Sequence, residues 1–209
     1  MKDDPYLYTN SDVLINKKDI RDAALLQKAE IEFVKARLMQ GLPKGQFDYT
    51  HLKKIHRHLF QDLYTWAGQE RTMRMSKGGS QFAFPEYIQK ELNKLFLQLK
   101  ADRLLQNLDQ QSFCKKAAYY FNELNAAHPF REGNGRTNRL FFDQVAEQAG
   151  YSLAWYKTNH RDYINASIEG FQGNNEPMEK IFSAIANPLE KTLSREKDPS
   201  LSVDRTLEM

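Results

Sequence analysis

The chain is short of most features that assign a protein at first sight. Among 209 residues there is a single cysteine, Cys114, which excludes an internal disulfide and a cysteine-based zinc site. Within the run FCKKAAYYF that thiol is expected to be a small buried side chain. Neither sign of charge dominates: 30 basic residues against 27 acidic ones leave +3, too little to argue for a nucleic-acid or membrane surface. No apolar run approaches the roughly 20 residues of a membrane span, and the opening MKDDPYLY lacks the apolar stretch of a secretory signal. What remains is a soluble protein expected in a reducing cytoplasm. With 41% hydrophobic and 27% charged residues, it has the composition of a globular domain with a sizeable core.

Strand signals are scarce as well. Only RTMRMSKGGSQFAFPEYI carries one: a weak alternation over residues 72–77, then Gly78-Gly79, then Gln81 to Phe84, which reads as a short β-hairpin turning at the glycines. Elsewhere the period is helical. Apolar residues Ala24, Leu25, Ile31, Val34 and Leu38 mark a helix from Ile20 to Met39, stopped by Gly41 and Pro43. Leu52, Ile55, Leu59 and Phe60 mark a second over 48–63, and further runs cover 86–106, 110–126, 135–149, 159–170 and 177–186. The spacing therefore predicts an all-α fold, a compact bundle with one hairpin. It divides into an arm and first helix (1–47), a helical core (48–187) and a polar, aperiodic tail or linker (188–209).

One stretch departs from this plain pattern. HPFREGNGRTNR, His128 to Arg139, holds one imidazole, one carboxylate, two glycines, two asparagines and three arginines in twelve residues. Pro129 stops the helix before it and the next helix begins near Gly135, so the segment is a loop running into a helix N-terminus. The free N–H groups there, backed by the helix dipole, form an anion site. Gly133 and Gly135 lack a Cβ, so their amides can approach a ligand closely. Arg136 and Arg139 share a helix face and suit the oxygens of a di- or triphosphate. Glu132, a lone acid among arginines, is what a magnesium ion bridging phosphate oxygens requires. His128 at the rim can take a proton from an incoming hydroxyl, while Phe130 faces inward and anchors the loop. These parts describe nucleotide-dependent group transfer.

The same segment resembles the Fic motif HPFx(D/E)GN(G/K)RxxR, with every specified position filled. The resemblance extends from the helix at 48–63 through residue 186 and includes SKGG..F in the hairpin, similar to that family's target-positioning flap. It implies transfer of AMP from ATP, with Mg²⁺, onto a Tyr, Ser or Thr hydroxyl of a target protein. His128 would be the base and Glu132 the metal ligand. Gly133, Asn134 and Gly135 would cradle the α- and β-phosphates and Arg136 and Arg139 the outer ones, with Phe130 and Arg131 completing the ATP-binding loop. Tyr163 stands near the family's position for an adenine wall. Ser76, Lys77, Gly78 and Gly79 are the candidate target-binding flap, whose backbone can pair with an extended peptide. A Lys in place of Gly135 would mark a kinase-like branch that binds the nucleotide inverted; Gly135 favours AMP transfer. Three alternatives stay open: a catalytically idle module that binds a partner through its flap, a kinase-like variant and a phosphocholine-transferring one.

The arm DPYLYTNSDVLINKKDIRD is also similar to the beginning of Fic effectors that Bartonella sends into host cells. That resemblance implies a bacterial cytoplasm as the place of synthesis and a host cytosol as a destination. Many Fic proteins carry an inhibitory helix (S/T)xxxE(G/N). Here Glu169-Gly170 comes nearest, but Asn165 stands where Ser or Thr is required. The chain is therefore expected to be competent alone, or held off by a small antitoxin that supplies the helix and contests Arg139. Among the other residues, His51, His56 and His58 have no acid or cysteine to complete a metal set and read as helix surface and packing, and Trp66 reads as core.

Overall fold

The computed structural model describes residues 4–77 and 80–189. The expected hairpin tip at Gly78 and Gly79, and nearly all of the expected tail, lie outside the described residues. Helix α1 covers Ala23–Met39, α2 Tyr49–Phe60, α3 Pro85–Ala101, α4 Gln110–Ala127, α5 Asn134–Ala149, α6 His160–Phe171 and α7 Glu176–Ile185. Local chemistry sets their starts: the Asp22, Asp48 and Asp109 carboxylates accept from the N–H groups of Leu25, His51 and Ser112, each satisfying a donor the first helical turn leaves unpaired.

Helix α4 is central and packs against α3, α5, α6 and α7. Its Phe121 lies among Phe142, Trp155 and Phe182, fully buried in one continuous core. Two ends of this central pair of helices define the site. Helix α4 finishes at His128, in the left-handed region with φ 45°, and α5 begins at Gly133–Asn134, so the motif is the turn between them.

The expected hairpin is present: β1 (Ser76–Lys77) pairs antiparallel with β2 (Ser80–Gln81), Ser76 opposite Gln81. The sequence shows no sign of a second two-stranded sheet, in which β3 (Tyr151–Leu153) pairs with β4 (Ala186–Pro188). Three residues are too few to display a period of two, and β4 follows α7 without a break in the apolar pattern. Helix α1 also differs from its expected face. It buries Leu26, Glu30 and Val34, while Leu25 is 55% exposed; the seam keeps Val34 of the apolar set read in the sequence, has Leu26 in place of Leu25, and has a glutamate in its middle. The arm before it is ordered by Asn16, whose side-chain amide donates to the carbonyls of Leu14 and Ile20 and accepts from the N–H groups of Lys18 and Ile20.

Candidate active site

The loop from His128 to Gly133 is fixed from within. The Asn134 side chain accepts from Phe130 N–H at 2.9 Å and donates to Phe130 O at 2.8 Å, closing the turn. The Thr137 hydroxyl donates to Gly133 O. Gly133 has φ 80°, and a Cβ there would fall 2.3 Å from the Phe60 ring, so both backbone and space require glycine. Gly135 differs: a Cβ on it would meet nothing nearer than 3.8 Å, the Tyr163 hydroxyl. Packing does not impose that glycine, and its bare face opens toward the cavity.

That cavity measures about 960 Å³ and is walled by the arm, α1, the hairpin, the motif and α6. His128, Arg131, Glu132, Gly133, Asn134, Gly135, Arg136, Arg139, Tyr163 and Ser76 all line it. Phe130 does not; it is fully buried beneath the loop and stacks on His56 at 3.8 Å. Lys77 closes β1. Glu169, the nearest match to an inhibitory glutamate, is exposed and accepts from the Asn174 amide instead.

The three arginines have different surroundings. Arg131 is held by Asp4 of the arm through Nε and Nη2, at 3.1 and 2.7 Å. Arg136 lies over the Phe60 ring with Nη2 at 2.6 Å from Glu30 and 3.5 Å from Glu132; Glu30 also accepts from the Tyr64 hydroxyl at 2.6 Å. Arg139 is 2% exposed and faces the Tyr163 ring. Burial lowers its pKa from the ordinary arginine value, offset in part by Tyr163 and by Asp143 one turn on. Asp143 itself is pushed up to about 7 by burial, although the Trp155 indole N–H donates to it at 2.7 Å. The cavity thus has two guanidinium groups at the mouth of a helix whose first N–H groups lack intrahelical partners, an arrangement suited to several negative charges.

Glu132 is half exposed, with one oxygen accepting from Gly133 N–H at 2.8 Å. Among the described residues no three His, Cys, Asp or Glu side chains cluster to hold a metal. Magnesium does not need such a cluster, since it takes one or two carboxylates and fills its sphere with water and substrate phosphates. A solvent-facing carboxylate beside a phosphate-sized anion site fits that habit.

Four residues support the site in ways the sequence did not show: Glu30 and Arg71 were not singled out, and His56 and Phe82 were given no contact with the motif. His56, expected as surface or packing, is 0% exposed. Its Nδ1 accepts from Gly68 N–H at 2.7 Å, so Nε2 carries the proton and donates to Glu132 O at 3.0 Å; burial depresses its pKa to about 3. His51, also buried, donates from Nε2 to Pro43 O, and His58 is hydrogen-bonded to Arg37 O. Glu30 was hidden in an apolar seam, where a lone acid at the Leu26–Val34 spacing was the available signal. Phe82, just after β2, stacks face to face on His128 at 3.8 Å and 7°. Arg71 reaches main-chain carbonyls, which no side-chain pattern reveals.

Residues 46–146 match the model of the Fic/DOC family. The chain is 40% identical over 177 residues to the probable protein adenylyltransferase y4lH of Sinorhizobium fredii, covering 84% of this chain and 92% of that protein. It is 38% identical to the protein adenylyltransferase VbhT of Bartonella schoenbuchensis, covering 96% of this chain and 42% of VbhT. Among solved structures it resembles BepC of Bartonella tribocorum, a VirB-translocated effector with bound AMPPNP, with TM-score 0.83 and 32% identity over 88% of this chain and 97% of that one. Motif, cavity and relatives agree, and the chain belongs to the Fic/DOC family.

Proposed function

We propose that this protein is a protein adenylyltransferase that moves AMP from ATP to a hydroxyl side chain of a target protein. One observation carries the reading: a single cavity joins the His128 imidazole to the α5 N-terminus and to Arg136 and Arg139. The N–H groups at Gly133 to Gly135 hold the inner phosphates and the two arginines the outer ones, while Tyr163 walls the cavity where the base would lie. The target hydroxyl gives its proton to His128 as its oxygen bonds to the α-phosphorus. The bond from that phosphorus to the β-phosphate bridging oxygen breaks, and pyrophosphate leaves. Glu132 would hold a magnesium ion, which when bound neutralises charge on the phosphate oxygens. The edge of the hairpin at Ser76 and Lys77 offers main-chain groups to an extended target segment, beside the base.

Support comes from relatives named protein adenylyltransferases and from a neighbour that holds a nucleotide analogue. A separate small inhibitor would act by bringing a carboxylate to Arg139, which pairs well with an acid or with a phosphate but not with both. The test uses the purified chain with Mg²⁺ and ATP labelled on either the α- or the γ-phosphate, against bacterial and host-cell lysates. Protein labelled only from α-labelled ATP is the expected result. Label from the γ-phosphate would make it a kinase, and no label with either would leave a binding module.

A further inference from the structure

Arg71 sits between α2 and the hairpin and is 2% exposed. Among the described residues its side-chain hydrogen bonds all go to the main chain. Nε donates to His128 O at 2.7 Å, Nη1 to Met73 O at 2.7 Å, and Nη2 to Ala83 O at 2.5 Å and Ala127 O at 3.3 Å. Its own N–H donates to Pro129 O at 2.8 Å. Met73 precedes β1 and Ala83 follows β2, so these two carbonyls are the feet of the hairpin. Ala127 and His128 are the end of α4. One guanidinium therefore clamps both feet of the hairpin to the residue that carries the imidazole.

Two further contacts share that junction: Ala83 N–H donates to Ala126 O, and the Phe82 ring lies flat on the His128 ring. His128 has φ 45°, a conformation a non-glycine residue keeps only where its surroundings over-determine it. A buried cation is costly unless all its donors are used, and burial here lowers the Arg71 pKa. Five donors in a rigid plane can meet four carbonyls at once; an ammonium on a flexible stem cannot.

We infer that Arg71 is a positioning residue for transfer, which keeps the peptide-docking edge of the hairpin in register with His128. A target strand paired to the hairpin then presents its hydroxyl to the base, while nucleotide binding, handled by α5, does not depend on Arg71. The inference rests on the AMP-transfer reading above. If the wild-type protein transfers no AMP, that reading fails; the Arg71 role is judged by the ratio of variant to wild type.

Arg71→Lys keeps the charge and loses the fork. Arg71→Gln removes the buried charge and keeps an amide donor, so it is the milder change for folding. For each, thermal melting, ATP affinity by calorimetry and the rate of α-label transfer at saturating ATP to the protein that the wild type labels in lysate are measured. Both variants are expected to transfer about 10²-fold more slowly, the loss that follows about 1 Å of misplacement, with ATP affinity within about twofold of wild type. Transfer at the wild-type rate overturns the inference. So does an ATP affinity that falls in step with the rate, and so does unfolding of both variants, since each makes Arg71 a scaffold group only.

Discussion

The two ends of the motif loop are held in opposite ways. At the His128 end the contacts are main-chain carbonyls, one buried guanidinium and a flat aromatic stack. At the arginine end they are charges and their partners: Glu30 on Arg136, with Tyr163 and Asp143 beside Arg139. The first kind of restraint fixes position and admits no substitute partner. The second can be exchanged, because a phosphate oxygen can take the place of a carboxylate. Proton transfer needs reach to within a fraction of an ångström, whereas a polyphosphate chain needs charge that adapts as it enters. The molecule is rigid where geometry decides and rearrangeable where charge decides.

That contrast can be broken most severely at the imidazole. His128→Ala is expected to lower transfer by about 10²–10⁴-fold with ATP affinity nearly unchanged; labelling of the target at the wild-type rate would remove His128 from the role of base. Glu132→Ala should lower the rate by about 10² or more, since metal stabilisation of phosphoryl charge is worth several kcal/mol. It should also shift the magnesium dependence, and a variant with unchanged metal titration and rate would leave Glu132 as a mere partner of Arg136.

The two glycines sharpen the comparison. Gly133→Ala forces a side chain onto Phe60 at a positive φ and is expected to cost about 3 kcal/mol in urea denaturation. Gly135→Ala should leave stability within about 0.5 kcal/mol yet weaken ATP binding about tenfold, because it fills the open face. Equal stability losses in the two would contradict this division. Glu30→Ala leaves the Tyr64 hydroxyl without its acceptor and Arg136 with only the longer contact to half-exposed Glu132, and about 2 kcal/mol of stability should go with it.

The smallest effect is one of pH. His56, held near pKa 3 by burial, stays neutral in the fold, so it contributes stability above about pH 6.5 that is lost as pH falls toward 3. Asp143, raised to about 7, works the other way: its contribution is present below about pH 4 and lost as pH rises through 7. Between pH 4 and 6.5 the two offset. Asp143→Asn should uncover the His56 slope and make stability fall more steeply on acidification, by about 1 kcal/mol per pH unit, measurable by denaturant midpoints at pH 6.5, 5.5 and 4.5. A slope no steeper than the wild type would refute the offset.

The motif was legible because its chemistry is contiguous: an imidazole, a carboxylate, glycines and arginines occupy twelve successive positions, and the flanking helices carry clear apolar periods. The supports were not, for a physical reason. His56 and Arg71 act on backbone carbonyls 76 and 57 residues away, and a carbonyl has no letter in the sequence. Glu30 was masked because an acid within an apolar seam reads as a break in the pattern rather than a contact. The β3–β4 sheet was invisible because its strands are three residues each, too short to alternate.

That small sheet fixes where the segment after α7 is held. Helix α5 begins at the motif and ends at Gly150, beside β3, and Leu189 N–H is still hydrogen-bonded to Gly150 O after β4. Sixteen residues of helix separate these two points, roughly 24 Å at 1.5 Å per residue. Leu189 is therefore held at the far end of α5 from the motif, so the β3–β4 sheet and the cavity sit at opposite ends of one helix.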